Sequence, residues 1–213
     1  MSSSDKFRFS VVILLIFHLV GWIGMNMSPY RSVFEQISWA NMLISFGLVF
    51  LCHEPFSDFP GLMIFIVSVF ILGISAEVAG VKTGLIFGTY HYTPLLGVGI
   101  MGVPLIIGLN WVMLSYAAGV STSRLPLPIW AKFIAGALLM VMCDILLEGL
   151  AVKHHFWVWE NSGLPPLRNY VGWFGISLLS NILFQKLIPD SRNRVVRYYL
   201  IIFILFLIAD HIS

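Results

Sequence analysis

Charged residues are scarce in this sequence. Of its 213 residues only 10% are Asp, Glu, Lys or Arg, whereas 59% are apolar and 15% are aromatic. An ordinary soluble domain is about a quarter charged, so this chain has too little polar surface to cover a water-soluble globule. The net charge of +2 and the lack of a basic stripe also argue against nucleic-acid binding. The composition predicts one all-α domain over residues 1–213, a polytopic helix bundle in a membrane.

The patterns of metal-dependent membrane enzymes are missing as well. The six histidines, at positions 18, 53, 91, 154, 155 and 211, form none of the HxxxH or HxxHH clusters that hold two iron ions. No HExxH occurs, and no second acidic motif that would hold magnesium accompanies Asp144 and Glu148. The last apolar segment has no lysine for a retinal Schiff base. We therefore expect a site with no metal and no cofactor.

Seven apolar segments are candidates to cross the bilayer, which requires about 20 apolar residues per helix. They are 9–27, 37–53, 59–81, 100–121, 128–152, 170–188 and 195–211. The glycine-rich stretch 82–99 is predicted to be a re-entrant or interfacial loop. With the N-terminus inside, eight Lys and Arg residues lie on the inner side and four on the outer side, which predicts an outer C-terminus. We expect an integral protein of a prokaryotic cytoplasmic membrane.

Three carboxylates stand out inside these segments, where a charge is costly and so marks a candidate functional residue. Asp144 and Glu148 are four residues apart on one helix face. Glu77 lies near the end of a segment that crosses in the same direction, so all three are predicted near one membrane face. The loops on that face and the adjacent start of the fourth segment supply the candidate binding residues, namely Tyr90, Tyr92, Asn110, Trp111, Trp157, Trp159, Asn169 and Trp173.

These residues also have structural interpretations. Glu77 is close enough to its segment end to extend into water. Asp144 could form only an interhelical hydrogen bond. Trp157 and Trp159 could belong to an aromatic belt at the membrane interface.

Carboxyl groups among aromatic rings suit the protonation of an alkene. A carboxyl group in an apolar pocket keeps its proton because burial disfavours the charged form. Protonation of a trisubstituted double bond gives a tertiary carbocation, which Trp and Tyr faces stabilise. A second, ionised carboxylate can then orient water or take a proton back. A proton-coupled transporter would use similar acids, so the residues alone leave both functions open.

Several motifs follow one another in a fixed order between about residues 70 and 188. They are Glu77-x-x-Gly80-x-x-Thr83-Gly84-x-x-Phe87-Gly88-x-Tyr90-x-Tyr92, Gly102-Val103-Pro104, Asn110-Trp111, Asp144-x-x-x-Glu148, Phe156-Trp157-x-Trp159-Glu160-Asn161 and Asn169-Tyr170-x-x-Trp173-Phe174. In this order they resemble the carotenoid-biosynthesis membrane proteins that include bisanhydrobacterioruberin hydratase and the γ-carotene or lycopene 1,2-hydratases.

The resemblance implies a carotenoid 1,2-hydratase, a hydro-lyase that needs no cofactor. It would add water to the terminal double bond of an acyclic, lycopene- or γ-carotene-like polyene lying in the lipid bilayer. Asp144 would be the leading proton donor, Glu148 its partner and Glu77 an alternative donor or base. The aromatic residues would line the path of the cation and polyene, and Asn169 would hold water or fix its loop. The alternatives are a lycopene-type cyclase and a carotenoid carrier or proton-coupled transporter.

Overall fold

The computed structural model describes residues 2–27, 29–160 and 163–213, including every side chain among them except that of Phe56. This part of the chain is all-α, as predicted. Its helices are α1 (Ser3–Asn26), α2 (Arg31–Gln36), α3 (Ser38–Phe50), α4 (Phe59–Thr83), α5 (Leu105–Ser123), α6 (Ile129–Lys153), α7 (Leu167–Leu187) and α8 (Arg194–His211).

Each of the seven predicted segments overlaps one of these helices over most of its length. Within the described residues, four helices are both long and apolar enough to cross a membrane, namely α1, α4, α5 and α6. Helix α3 has 13 residues, about 20 Å at 1.5 Å per residue, which is shorter than a bilayer core of about 30 Å. Helix α8 carries three charged residues, Arg194, Arg197 and Asp210. The prediction of seven membrane-spanning helices is therefore confirmed for four of them only.

Helix α5 lies at the centre of the bundle. It packs against α4, α6 and α7, and Trp111 and Tyr116 along it are fully buried. A helix that is apolar on all sides is typical of such a central position. Helices α1, α3 and α8 form a second group on one side of α5, with α1 packed on both α3 and α8.

The predicted loop 82–99 contains short strands and a turn of 3-10 helix. Helix α4 ends at Gly84, whose φ of 66° is a left-handed conformation that glycine adopts without strain. The chain then enters β1 (Tyr90–Tyr92), which pairs in antiparallel fashion with β4 (Trp157–Trp159). A second small hairpin joins β2 (Gly99–Ile100) to β3 (Val103–Pro104). The β1–β4 ladder covers the ends of α4 and α6.

A buried polar cluster ties α1, α2, α6 and α8 together. The imidazole of His154 is within 2.9 Å of both Glu35 Oε1 and Asp210 Oδ1. Asn26 donates to Asp210 Oδ1, and Lys153 donates to Asn26 Oδ1. These contacts indicate that His154 has a structural role where the four helices meet. Cys52 and Cys143 are both free.

Candidate active site

The three predicted catalytic acids, Glu77, Asp144 and Glu148, lie together at one end of the bundle. Glu77 is near the end of α4, and Asp144 and Glu148 are in the last turns of α6. Their exposed fractions are 3%, 0% and 4%. They line one cavity with seven other predicted residues, namely Tyr90, Tyr92, Asn110, Trp157, Trp159, Asn169 and Trp173.

Glu77 accepts three hydrogen bonds from aromatic side chains. Its Oε2 accepts from the hydroxyls of Tyr90 and Tyr92, the latter at 2.8 Å, and its Oε1 accepts from Trp111 Nε1 at 2.9 Å. Burial raises the pKa of both tyrosine phenols above the ordinary value, and the charge of Glu77 raises it further. Both tyrosines therefore keep the O–H that they donate.

Glu148 is held in the same way by the other strand of the ladder. Its Oε2 accepts from Trp157 Nε1 at 3.0 Å and from Trp159 Nε1 at 2.9 Å. The two indoles share one face of β4 because side chains alternate along a strand, and Val158 between them is exposed. The register pairs Tyr90 with Trp159, so the ladder presents its donors to two acids at once.

Asn169 joins the two acids of α6. Its Nδ2 donates to Asp144 Oδ2 at 2.8 Å and to Glu148 Oε1 at 3.3 Å. The other oxygen of Asp144, Oδ1, is buried and has no hydrogen-bond partner among the described residues. Of the six carboxyl oxygens in the site, it is the one left without a donor in this part of the chain.

The aromatic rings also pack on one another. Trp111 stacks on Trp173 with ring centroids 4.0 Å apart. Tyr90 lies 5.0 Å from Trp159, and Tyr92 lies 5.8 Å from Trp157 in an edge-to-face arrangement. Each donor to an acid is thus also fixed by a neighbouring ring.

The cavity beside the acids is small. The volume open to a water-sized sphere is about 20 Å³, which is enough for about one water molecule. Sequence reasoning missed three of its lining residues, Phe87, Ile107 and Leu147. Phe87 belongs to the first motif, and Ile107 and Leu147 are one helical turn from Asn110 and Asp144, so helical spacing could have identified them. Trp111 is not part of the lining; it lies behind Glu77.

The purely structural explanations for these acids and tryptophans fit the observed geometry less well than a functional site does. Glu77 does not extend to water, because it is buried beneath Tyr90 and Tyr92. Trp157 and Trp159 are 8% and 6% exposed, and their N–H groups point at Glu148 rather than at an interface. Asp144 does form one hydrogen bond between helices, but its second oxygen has no partner among the described residues, and its side chain lines the cavity.

Comparison with known proteins identifies the family. The family described as carotenoid biosynthesis protein matches residues 37–212, a range that includes every residue of the site. No curated protein and no solved structure matches the chain. Since the match covers most of the sequence, the chain belongs to the carotenoid biosynthesis protein family.

Proposed function

We propose that this protein is a carotenoid hydratase that adds water to the terminal double bond of an acyclic carotenoid. The observation that carries this proposal is the Oδ1 of Asp144, which has no partner among the described residues and belongs to a side chain that lines a water-sized cavity among aromatic rings. A proton donor must be in contact with the atom that it protonates. The other carboxyl oxygens of the site already accept hydrogen bonds from aromatic or amide donors.

The first step is proton transfer from Asp144. The carboxyl O–H gives its proton to the less substituted carbon of the double bond, and the π electrons form the new C–H bond. Asp144 becomes a carboxylate, and the more substituted carbon becomes a tertiary cation. The faces of Trp157, Trp159 and Trp173 border the cavity and stabilise this charge by cation–π attraction.

The second step is the capture of the cation by water. A lone pair of the water oxygen forms the C–O bond, and the extra proton of that water passes to the carboxylate of Asp144. The tertiary alcohol leaves and the acid is restored, so that no metal or redox group is consumed. Glu148 shares the Asn169 amide with Asp144, and this contact holds both carboxyl groups in fixed positions around the water.

A lycopene-type cyclase would use the same first step. There an internal double bond, instead of water, would capture the cation, and the site would need to exclude water and hold a folded end group. The cavity beside Asp144 has room for a water molecule and is lined by three acids, which favours hydration. A carrier or proton-coupled transporter would leave the carotenoid chemically unchanged.

The test is expression of the protein in a host that accumulates lycopene, followed by mass analysis of its carotenoids. We expect a product heavier by one water per processed end. Asp144→Asn should abolish it, whereas Asp190→Asn, a change of an exposed acid, should not. A cyclic product of unchanged mass would indicate the cyclase, and unaltered lycopene would contradict both enzymes. Full activity in Asp144→Asn, Glu148→Gln and Glu77→Gln alike would refute the mechanism.

A further inference from the structure

A second and larger cavity borders the acid site. The volume open to a water-sized sphere is about 230 Å³. It shares four lining residues with the acid cavity, namely Ile107, Asn110, Leu147 and Trp157. The two cavities are therefore adjacent, and we call the larger one the side cavity.

The side cavity lies between the two groups of helices. Residues of α1, α3 and α8 line one side, and residues of α5 and α6 line the other. Its walls are mainly apolar, with Met113, Leu150 and Phe203 among them. His18 is one of its few polar side chains, and its Nδ1 is hydrogen-bonded to Leu14 O in its own helix.

One end of the side cavity reaches the outer surface of the bundle, and the other is buried. Phe17 and Val20 on α1 and Ile37 before α3 are 38%, 48% and 48% exposed. At the opposite end, Asn110 and Trp157 are 5% and 8% exposed. The cavity thus runs from the outer face of the bundle to the acid site.

We propose that the side cavity binds the polyene end of the carotenoid substrate, which enters sideways from the bilayer between α1 and α3. This inference rests on the proposed hydratase function. Apolar walls match a hydrocarbon chain, and the inner end brings the terminal double bond to Asn110 and Trp157, next to the acids. At about 230 Å³ the cavity is smaller than the roughly 300–1,000 Å³ of a pocket for a drug-sized ligand. It therefore holds one end of the polyene, and the rest stays in the lipid.

Gly21 allows the cavity to be filled without moving the backbone. It lines the side cavity, and a Cβ at this position would meet only Asn41 Nδ2, at 3.7 Å, which is ordinary contact. Leucine at position 21 should therefore occupy space meant for the polyene. Gly47 on α3 is the matched control, because a Cβ there would meet nothing within 4 Å and it does not line the cavity.

The experiment measures lycopene binding and lycopene hydration separately. Binding to the purified protein in detergent is followed by quenching of tryptophan fluorescence, since Trp157 lies at the inner end of the cavity. We expect Gly21→Leu to weaken lycopene binding and to lower product formation at least tenfold, and Gly47→Leu to change neither. Ala40→Phe, which fills the same cavity from α3, replaces Gly21→Leu if thermal melting shows that variant to be unfolded.

The outcomes separate this proposal from the proposed function. If Gly21→Leu and Ala40→Phe bind and hydrate lycopene like the unaltered protein, the side cavity is not the binding site, although the hydratase stands. If lycopene binds and the filled variants lose binding, but no variant ever forms product, the binding site stands and the hydratase fails. If a saturated acyl chain displaces lycopene at equal concentration, the cavity is a lipid site and the proposal is overturned.

Discussion

The aromatic side chains of the site have two uses. Trp111, Trp157 and Trp159 donate indole N–H bonds to buried acids, and Tyr90 and Tyr92 donate through their hydroxyls. The same rings also pack on one another or on Trp173. A charge can be kept in such an apolar place only if donors surround it. The polar tips therefore hold the acids while the apolar faces remain available for a cation.

Gly73 is expected to be essential because it lies against Trp111. It is one helical turn before Glu77 on α4, and a Cβ there would come within 2.7 Å of Trp111 Cγ and 2.8 Å of Trp111 Cβ. Gly73→Ala should push the indole away from Glu77. Overpacking of this kind costs about 1–3 kcal/mol. We expect a melting temperature several degrees lower and a clear loss of hydration, measured by thermal unfolding and by product mass.

Gly175→Ala on α7 is the control for this change. A Cβ at that position would meet nothing within 4 Å, so alanine there should be neutral or slightly stabilising in the helix. If Gly73→Ala behaved like Gly175→Ala in both measurements, the close packing of Trp111 against α4 would not be important for the site.

Among the secondary-structure elements, the helices could be predicted from the sequence, whereas the β1–β4 ladder could not. Each of the seven long apolar segments overlaps one helix, although the helix ends differ from the predicted ends by a few residues. The strands β1 and β4 have three residues each and are distant in the chain, so that no local pattern pairs them. Parity along the segments predicted that Glu77 and Glu148 share one face. It could not predict that Tyr90 and Trp159 would become neighbours above them.

Because both tryptophans of β4 donate to Glu148, replacing them is expected to have coupled effects on hydration. Trp157→Phe and Trp159→Phe each remove one of the two donors to Glu148 Oε2 and keep most of the apolar volume. Each single change leaves one donor, whereas the double change leaves that buried oxygen with none, which costs about 1–3 kcal/mol. We expect the loss of hydration in the double variant to exceed the sum of the two single losses, expressed as free energies.

Val158→Ala is the control for these two changes, because its side chain lies on the opposite face of β4 from the two tryptophans. Val158 lies between the two tryptophans but is exposed, so its replacement should leave hydration close to that of the unaltered protein. Additive losses at positions 157 and 159 would mean that the two indoles act independently and do not share one acceptor.

At the scale of the whole molecule, average hydropathy obscures where polar residues lie. Helix α7 is too polar on average to count as a span, yet its Ser177, Ser180 and Asn181 are buried in the bundle. Ser115 on α5 donates to Ser180, and Asn181 donates to Ser177 O. The first of these bonds joins α5 to α7 and the second lies within α7, so these polar side chains find partners inside the bundle, which is compatible with a membrane interior. A sequence average cannot distinguish such internal polar residues from ones that face water.

The distribution of basic residues predicts how the bundle is oriented in the membrane. Eight Lys and Arg residues on the N-terminal side against four on the other predict that the acid site lies at the outer face. In a variant with Cys52 and Cys143 changed to alanine, we introduce Glu160→Cys near the acids or Asp190→Cys between α7 and α8. A membrane-impermeant maleimide added to intact cells should label position 160 at once and position 190 only after permeabilisation. The cysteine-free protein controls for background, and the reverse labelling would place the acids inside.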